Sequence, residues 1–524
     1  MAITRKTVNL DAMIQRADFS IVTNEPQTVQ QIPTISLRDL QKDSFLLPNL
    51  RKPDFQRETN HWTPEQVASL IECFINNELI PSIILWNSQS YIFIIDGCHR
   101  LSALRAWVEN DYGDGPISKS FFNYQIEKFQ QRAADETRRL IEKRVGLWQH
   151  WQTKNQQPNL PPDERRLASG LSTRAFQLQW VSGDADKAEA SFFKINTQGT
   201  PLDDIEELLI SNRKKPCAIA ARSIIRAGTG YKYWSLFSVE NQKSIEKISK
   251  EIYQILFEPE LNSPIKTLDL PLGGVAGVRT ALSLLIDFLL VANRDQNGYP
   301  KNIKDQLDDY SGDESIRVLN NSLRLVKRMT GNDKGSLGLH PAVYFYSPSG
   351  KHSVPLFMGM AMLIAKKLVN NDSDFFKKFT KIRKIFEEDL LDHKQLLTAI
   401  IQQIRSNQRY EIISKLFDFM ITKRLNDKNI RVSDKEIAEL CGVKGKFFVG
   451  EEKITGKQFS SETKSAVYLK EALDNALRCP VCEGYLDPRK SISYDHSKPR
   501  RDGGLGNEEN LQLTHPYCNQ SVRQ

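Results

Sequence analysis

The sequence has no long hydrophobic run, which argues against a membrane-spanning protein. The most apolar stretches, Ala281–Ala292 and Pro355–Ala365, are shorter than the roughly 20 residues that a helix needs to cross a bilayer, and the first contains Asp287. Residues 1–33 are polar and mixed in charge, without the apolar core of a signal peptide. We expect two buried helices in these stretches and a cytoplasmic protein without a membrane partner.

Cysteine is scarce as well, with seven residues in a chain of 524. Four are scattered along the chain, at Cys73, Cys98, Cys217 and Cys441. Isolated cysteines of this kind are typical of reduced thiols in a cytosol and exclude a disulfide-framework protein. Charge of one sign is also in small excess, because 72 basic and 64 acidic residues leave a net charge of +8. That balance suits a polyanionic partner without requiring one.

The clearest motif lies at the C-terminus, where two short pairs of soft metal ligands bracket the dipeptide Asp495-His496. The ligands are Cys479, Cys482, His515 and Cys518. Such pairs can hold one tetrahedral Zn²⁺ and so stabilise a segment too small to have a core of its own.

The residues between the pairs are those that phosphodiester hydrolysis needs. A divalent cation must neutralise charge on the phosphate, and Asp495 and Asn519 offer the oxygen ligands that Mg²⁺ or Mn²⁺ prefers. A neutral imidazole can deprotonate water near pH 7, and His496 follows Asp495 on the opposite face of a strand. Metal and base could therefore flank one phosphate.

The segment after this dipeptide is expected to form a braced, basic loop. Gly503-Gly504 favours a tight turn, and Asn510 is placed to hold the loop by side-chain hydrogen bonds. Lys498, Arg500 and Arg501 could grip flanking DNA phosphates, or form an ordinary solvated turn; the sequence leaves both open.

This arrangement resembles the zinc-braced HNH (ββα-metal) endonucleases. The resemblance implies that His496 is the general base, that Asp495 and Asn519 hold the catalytic ion, and that Asn510 orients the loop. It also implies that the four soft ligands hold a structural zinc, with His515 where many relatives have Cys. The alternative is a zinc ribbon that only binds a partner. The order of all the elements favours the nuclease.

The second informative region is N-terminal. Thr63 and Pro64 predict the start of a helix, and two β-branched runs, 80–86 and 91–95, predict strands. The second strand ends at Asp96-Gly97, directly before a helical pattern. A strand, a glycine turn and a helix start aim backbone N–H groups at one point, where an anion could bind beside Arg100 and Arg57.

These residues resemble the ParB-like nucleotidase domain in its DGQQR form, which occurs in GmrSD-type restriction proteins. The matching elements are Gln56-Arg57, Trp62, Ile80-Pro81-Ser82, Asp96-Gly97-x-His99-Arg100, Leu101–Leu104, Phe193, Asn196, Gly199, Leu202 and Glu206. The likeness spans about residues 32–212, with a helical insertion near 125–166, and departs at Cys98, where the family usually has Gln.

The resemblance implies binding or hydrolysis of a nucleoside triphosphate (GTP, ATP or CTP) with Mg²⁺. The implied nucleotide-binding residues are Arg57, Asp96, Gly97, His99, Arg100 and Asn196. Hydrolysis, simple binding and recognition of modified DNA remain equally open. Asp54 and Glu58 are candidate metal ligands, although such carboxylates more often lie at the surface.

The middle of the chain reads as helices, and we interpret it as a coupling domain. Helical spacing covers 245–257, 278–292, 314–329, 357–368, 375–391 and 394–404. The aromatic segment His340–Tyr346 could stack on a base but is more often core. The polar stretch Gly450–Thr463 is interpreted as a hinge.

Taken together, we expect an α+β multidomain protein with a ParB-like α/β sensor, an α-helical middle and a small C-terminal ββα-metal zinc domain. The predicted boundaries are 1–31 (extension), 32–213 (sensor), 214–447 (helical), 448–470 (hinge) and 471–524 (nuclease). The expected function is restriction of foreign or modified double-stranded DNA, controlled by the sensor. An NTPase switch, or a DNA-binding regulator with an inactive HNH module, is the alternative. For the oligomeric state, both a monomer and a homo-oligomer are open alternatives.

Overall fold

The computed structural model describes residues 7–17, 19, 31–56, 58–88, 91–157, 159–198, 204–276, 278–443 and 458–522. The chain divides into two compact units. The N-terminal unit contains residues 1–213 and 229–233, and the C-terminal unit contains residues 214–228 and 234–524.

The N-terminal unit is built on a mixed six-stranded sheet. Its strands are β1 (Arg16–Ala17), β2 (Thr34–Ser36), β3 (Leu50–Pro53), β4 (Ile83–Asn87), β5 (Ile92–Asp96) and β6 (Ala175–Val181), in the order β1-β3-β5-β4-β6-β2. β5 pairs parallel with β3 and antiparallel with β4. Strand β5 is apolar on both faces because Ile94 lies in one buried cluster and Phe93 and Ile95 lie in another.

Eight helices of this unit are described. They are α1 (Pro64–Asn76), α2 (Cys98–Glu109), α3 (Pro116–Phe121), α4 (Lys128–Arg144), α5 (Trp148–Asn155), α6 (Pro162–Thr173), α7 (Ala185–Gln198) and α8 (Asp204–Ser211). The predicted start of α1 is confirmed, since Thr63 accepts from the Gln66 amide and the Gln66 side chain accepts in return from the Thr63 amide. The predicted insertion is helical and corresponds to α4, α5 and the start of α6.

The C-terminal unit consists mainly of helices. They are α9 (Pro216–Ile225), α10 (Val239–Phe257), α11 (Val278–Ala292), α12 (Asp313–Met329), α13 (Pro341–Tyr344), α14 (Val354–Val369), α15 (Ser373–Asp392), α16 (Lys394–Gln403), α17 (Arg409–Asn426), α18 (Asp434–Leu440) and α19 (Ser461–Asp474). All six helical segments predicted from residue spacing are confirmed, five of them within three residues, while α10 begins six residues before its predicted start. In the described parts of both units, no helix is both long and apolar enough to cross a membrane.

The aromatic segment around α13 is core. His340, Val343, Tyr344, Phe345 and Tyr346 are all buried, so the stacking alternative for these rings is wrong. Of the predicted hinge, residues 448–457 lie outside the described residues, and α19 covers 461–470.

A small hairpin and a short helical turn complete this unit. Strands β7 (Ser493–His496) and β8 (Leu511–Thr514) pair antiparallel, and Cys518–Val522 form one π-helical segment. The surrounding segment is hydrogen-bonded to the helical part of the unit. Ser491 Oγ donates to the Gly331 carbonyl, the Tyr517 amide donates to the Ser336 carbonyl, and Lys490 Nζ donates to the Leu270 carbonyl.

Candidate functional site

The four predicted zinc ligands converge in one buried cluster. The ligand atoms of Cys479, Cys482, His515 and Cys518 all lie within 4.8 Å of one another. Nδ1 of His515 is 3.3 Å from Sγ of Cys482 and 3.9 Å from Sγ of Cys518. Ligands around a tetrahedral Zn²⁺ are separated by about 3.5–3.8 Å, given typical Zn–S and Zn–N lengths. The residues present therefore fit a zinc ion.

The orientation of the His515 ring supports the same assignment. Its Nε2 lies 2.9 Å from the Tyr485 carbonyl oxygen, so the proton belongs on Nε2 and the lone pair of Nδ1 faces the three sulfur atoms. Burial lowers the pKa of His515, which keeps the imidazole neutral and able to ligate.

The Asp495-His496 dipeptide occupies the end of β7, as the sequence predicts. Asp495 stands opposite Gln512 in the hairpin, and the Gln512 side chain donates to its Oδ2 at 2.8 Å. His496 is the last residue of the strand, and its Nε2 accepts from Nε of Arg500 at 3.3 Å. Both side chains are partly exposed. Because the two residues are consecutive in a strand, their side chains point to opposite faces of the hairpin.

Asn510 braces the loop between the two strands. Its Oδ1 accepts from the Lys498 amide (2.7 Å) and from Oγ of Ser497 (2.9 Å), and its Nδ2 donates to the Lys498 and Leu505 carbonyls. Gly504 packs so closely that a Cβ there would lie 1.9 Å from the Lys498 oxygen, and Gly503 has a φ of +80°. The loop therefore requires both glycines and is held by one amide side chain.

Asn519 lies beside the first strand of the hairpin. Its Nδ2 donates to Oγ of Ser493 at 2.8 Å and to the Tyr494 carbonyl at 3.1 Å. The side chain is thus fixed next to the residue that precedes Asp495. The three basic residues of the loop, Lys498, Arg500 and Arg501, are all exposed.

In the N-terminal unit, the turn between β5 and α2 has the predicted form. Gly97 has a φ of +98° and precedes α2, whose first turn has no side-chain cap. A Cβ at Gly97 would lie 2.4 Å from the Ile83 side chain, so only glycine fits. Arg100 pairs with the carboxylate of Asp96 at 2.6 Å and also donates to the Ser82 carbonyl at 3.2 Å.

His99 belongs to a neighbouring aromatic cluster. Its ring is stacked on Trp62, with centroids 5.6 Å apart, and lies 6.2 Å from the ring of His61. His61 in turn pairs with Glu206 at 2.6 Å. No ligand-spaced neighbour in the sequence points to a role for His61, whereas the structure places it between two of the expected family residues, His99 and Glu206.

For two of the predicted nucleotide-binding residues, the structure describes no side chain. Arg57 lies outside the described residues, and only the backbone of Asn196 is described, within α7. Of the six predicted nucleotide-binding residues, Asp96, Gly97, His99 and Arg100 lie on one strand–turn–helix segment.

Comparison with protein families assigns both ends of the chain. Residues 37–213 match the family model of the GmrSD restriction endonuclease N-terminal domain, and residues 479–524 match that of the HNH endonuclease. The chain combines a GmrSD N-terminal domain with an HNH endonuclease domain. It is therefore a nuclease, a hydrolase of phosphodiester bonds, of the restriction type. Searches of curated proteins and of solved structures returned no match.

The N-terminal unit contains a buried charge cluster that sequence reasoning missed. Oδ1 of Asp11 accepts from Nζ of Lys52 at 2.7 Å and from Nη2 of Arg16 at 2.9 Å, and it also accepts from the Thr59 amide. All three charged side chains are at most 4% exposed. Lys52 lies 41 residues from Asp11 and none of the three belongs to a motif, so no sequence pattern signals the cluster.

One alternative for this domain is wrong. The sequence makes Asp54 either a metal ligand or, more commonly, a surface carboxylate, and the surface alternative does not hold. Asp54 is 8% exposed, accepts from the Phe19 amide and pairs with Nε of Arg213 at 3.1 Å. An internal cation thus compensates the buried charge. The assignment of Asp54 as a metal ligand stays a prediction.

Proposed function

We propose that this protein is a metal-dependent DNA endonuclease that cleaves foreign or modified double-stranded DNA in the cytoplasm, with an HNH site controlled by its GmrSD domain. The observation that carries the proposal is the hairpin. A zinc-ligand cluster braces it, Asp495 and His496 end its first strand, and Asn519 is hydrogen-bonded to that same strand.

In this proposal Asp495 and Asn519 hold Mg²⁺ or Mn²⁺. The bound ion would neutralise charge on the scissile phosphate. Nδ2 of Asn519 already donates hydrogen bonds to β7, so Oδ1 is the atom of this side chain that would bind the ion. Gln512 holds Asp495 through Oδ2 and thereby orients the carboxylate.

His496 is the proposed general base. The imidazole accepts a proton from water as the water oxygen forms a new bond to phosphorus, while one P–O ester bond breaks and the leaving oxygen takes up a proton from bulk water. The imidazolium then returns its proton to solvent. Asn510 acts at a distance, since it fixes the loop that follows His496 and carries the basic residues.

Lys498, Arg500 and Arg501 are proposed to bind phosphates on either side of the scissile bond. All three project from an exposed loop beside His496, and a cationic loop gives affinity without base recognition. Of these three residues, Arg500 is proposed to bind nearest the scissile bond, because its guanidinium contacts the imidazole of His496.

For the GmrSD domain we propose that a nucleoside triphosphate binds at the β5–α2 turn with Mg²⁺. An uncapped helix start with a glycine turn offers backbone N–H groups to a phosphate, and Arg100 stands at the same turn. Arg57 and Asn196 are proposed as further contacts. The Asp96–Arg100 pair would open as the guanidinium moves to the phosphate.

A DNA-cleavage assay tests the whole proposal. Purified protein is incubated with modified and unmodified phage DNA, with Mg²⁺ or Mn²⁺, and with or without GTP, ATP or CTP. We expect metal-dependent strand breaks whose rate changes with one nucleotide or one DNA modification. Phosphate release without strand breaks would instead favour an NTPase switch. Cleavage indifferent to nucleotide, to modification and to Arg100→Ala would reject control by the GmrSD domain.

A further inference from the structure

The zinc cluster is backed by an ion pair from a distant helix of the same unit. Arg383 and Glu387, one turn apart on α15, form a pair with Nε 2.7 Å from Oε1, and their side chains are 1% and 0% exposed. Arg383 also donates to the carbonyls of Leu337 and Gly338, and Tyr344 donates its hydroxyl to Oε1 of Glu387. Oε1 thus accepts two hydrogen bonds, and each guanidinium nitrogen donates one, within the helical part of the unit.

The second oxygen of Glu387 faces the zinc-binding segment. Oε2 accepts from the backbone amide of Tyr485 at 2.8 Å. On the other side of that residue, the Tyr485 carbonyl lies 2.9 Å from Nε2 of His515. A continuous hydrogen-bonded chain therefore runs from Glu387 through one backbone residue to the ring of a zinc ligand.

Close packing leaves this chain little room to move. A Cβ at Gly484 would lie 2.6 Å from Nε of Arg383, and a Cβ at Gly338 would lie 2.8 Å from Cδ2 of the His515 ring. Contacts under 3.0 Å cannot be accommodated without rearrangement of a buried guanidinium or a ligating ring. Both glycines are thus required where the ion pair and the ligand pack.

We infer that Glu387 is a positioning residue of the zinc centre: it holds the Tyr485 peptide so that its carbonyl fixes the His515 ring with Nδ1 toward the metal. The inference rests on zinc binding at the four ligands and is independent of DNA cleavage. A buried ion pair is weak evidence of stability in itself, since desolvation offsets much of its attraction. Partners in the outer shell of a metal site, by contrast, typically change metal affinity about 10–100-fold when they are removed.

The test measures zinc binding in the full-length protein. Wild type, Glu387→Gln and the double variant Arg383→Met/Glu387→Leu are loaded with one equivalent of zinc and titrated with a competing chelator. The double variant removes both charges, so it leaves no uncompensated cation that would prevent folding. We expect zinc affinity to fall about 10–100-fold in the double variant. The loss should be smaller in Glu387→Gln, because its one amide oxygen can accept either from Tyr485 or from Arg383 and Tyr344, but not from both sides.

Lys384→Ala is the matched control. Lys384 lies next to Arg383 on α15 and contacts the same zinc-binding segment, through Glu483 at 2.5 Å, but both side chains are exposed. An exposed pair contributes little, so zinc affinity should stay within about twofold of wild type. Tyr344→Phe removes a hydroxyl from Glu387 without touching Tyr485 and should likewise leave zinc affinity nearly unchanged.

The outcomes separate the inference from its premise. A wild-type protein that takes up no zinc would reject the zinc centre itself. Wild-type zinc affinity in the folded double variant, judged by circular dichroism, would overturn the role of Glu387. An equal loss in Lys384→Ala would do the same, because it would point to general loosening of the contact between α15 and the zinc-binding segment.

Discussion

Arg500 donates a hydrogen bond from Nε to Nε2 of His496 across 3.3 Å, at the exposed end of the β7–β8 hairpin. Under the proposed mechanism, a cation that contacts the base would also lie beside the phosphate that is attacked. In this geometry Arg500 combines two tasks, whereas Arg501 forms an ion pair with the neighbouring Asp502 at 3.9 Å.

The first prediction concerns this pair of arginines. Arg500→Ala and Arg501→Ala should each weaken DNA binding and reduce the slope of log affinity against log salt by about 1, because each removes one phosphate contact. Only Arg500→Ala should also lower the cleavage rate at saturating DNA, by about tenfold. Binding isotherms at several salt concentrations and single-turnover cleavage measure the two effects. Equal cleavage rates in both variants would argue against a special role for Arg500.

The second prediction concerns the proposed base. His496→Ala should lower the single-turnover cleavage rate by about 10²–10⁴-fold, the range typical for loss of a general base, while DNA affinity stays within a few-fold of wild type. Tyr494→Phe is the control on the same strand, since its side chain is 70% exposed. A fully active His496→Ala protein would remove the assignment.

The third prediction concerns the loop that Asn510 braces. Asn510→Ala deletes hydrogen bonds to Ser497, Lys498 and Leu505, each contributing about 0.5–1.5 kcal/mol. Local opening should increase at least about tenfold, and trypsin should cut after Arg500 or Arg501 correspondingly faster. Asn507→Ala is the control, because Asn507 makes no capping hydrogen bond at its turn. Unchanged proteolysis in Asn510→Ala would contradict a bracing role.

The fourth prediction concerns the buried cluster of the N-terminal unit. Burial alone would raise the pKa of Asp11, but Arg16 and Lys52 hold it well below its usual range. A carboxyl with a lowered native pKa stabilises the fold above its unfolded pKa of about 3.9, and that contribution is lost as pH falls below this value. Asp11→Asn should cost about 3–5 kcal/mol at neutral pH, because it leaves two buried cations uncompensated.

Tryptophan fluorescence measures this effect, since six of the seven tryptophans lie within residues 1–213. Denaturant unfolding at pH 7 and acid titration from pH 6 to 2 should show a weaker fold in Asp11→Asn and a smaller loss of stability on acidification. Glu65→Gln breaks only an exposed pair with Arg144 and should shift stability by at most about 1 kcal/mol. Matching curves for wild type and Asp11→Asn would reject the ion cluster as a source of stability.

What the sequence could predict was local. The zinc ligands follow from two short spacings, and the β5–α2 turn follows from Asp96-Gly97 between an apolar run and a helical pattern. Helices with one apolar face were found for the same reason. Helix α9 escaped because all ten of its residues are buried, so it has no polar face to create a periodic pattern.

What the sequence could not predict depends on residues brought together by folding. Lys52 lies 41 residues from Asp11, and Glu387 lies 98 residues from Tyr485. Neither pair has a spacing rule, because the partners come from different elements. Asp54 was misjudged for the same reason, since its cation, Arg213, is supplied from beyond α8.

The hydrogen bonds between the zinc segment and α15 have a practical consequence for protein production. A fragment that begins at α19 and runs to the C-terminal residues would retain every metal ligand and every proposed catalytic group of the HNH domain. It would, however, expose to solvent Tyr485 and the ring of His515, which α15 and Gly338 cover in the full-length protein. Cleavage rates measured on such a fragment would come from a protein whose zinc centre is less well held. They would underestimate the cleavage rate of the full-length enzyme.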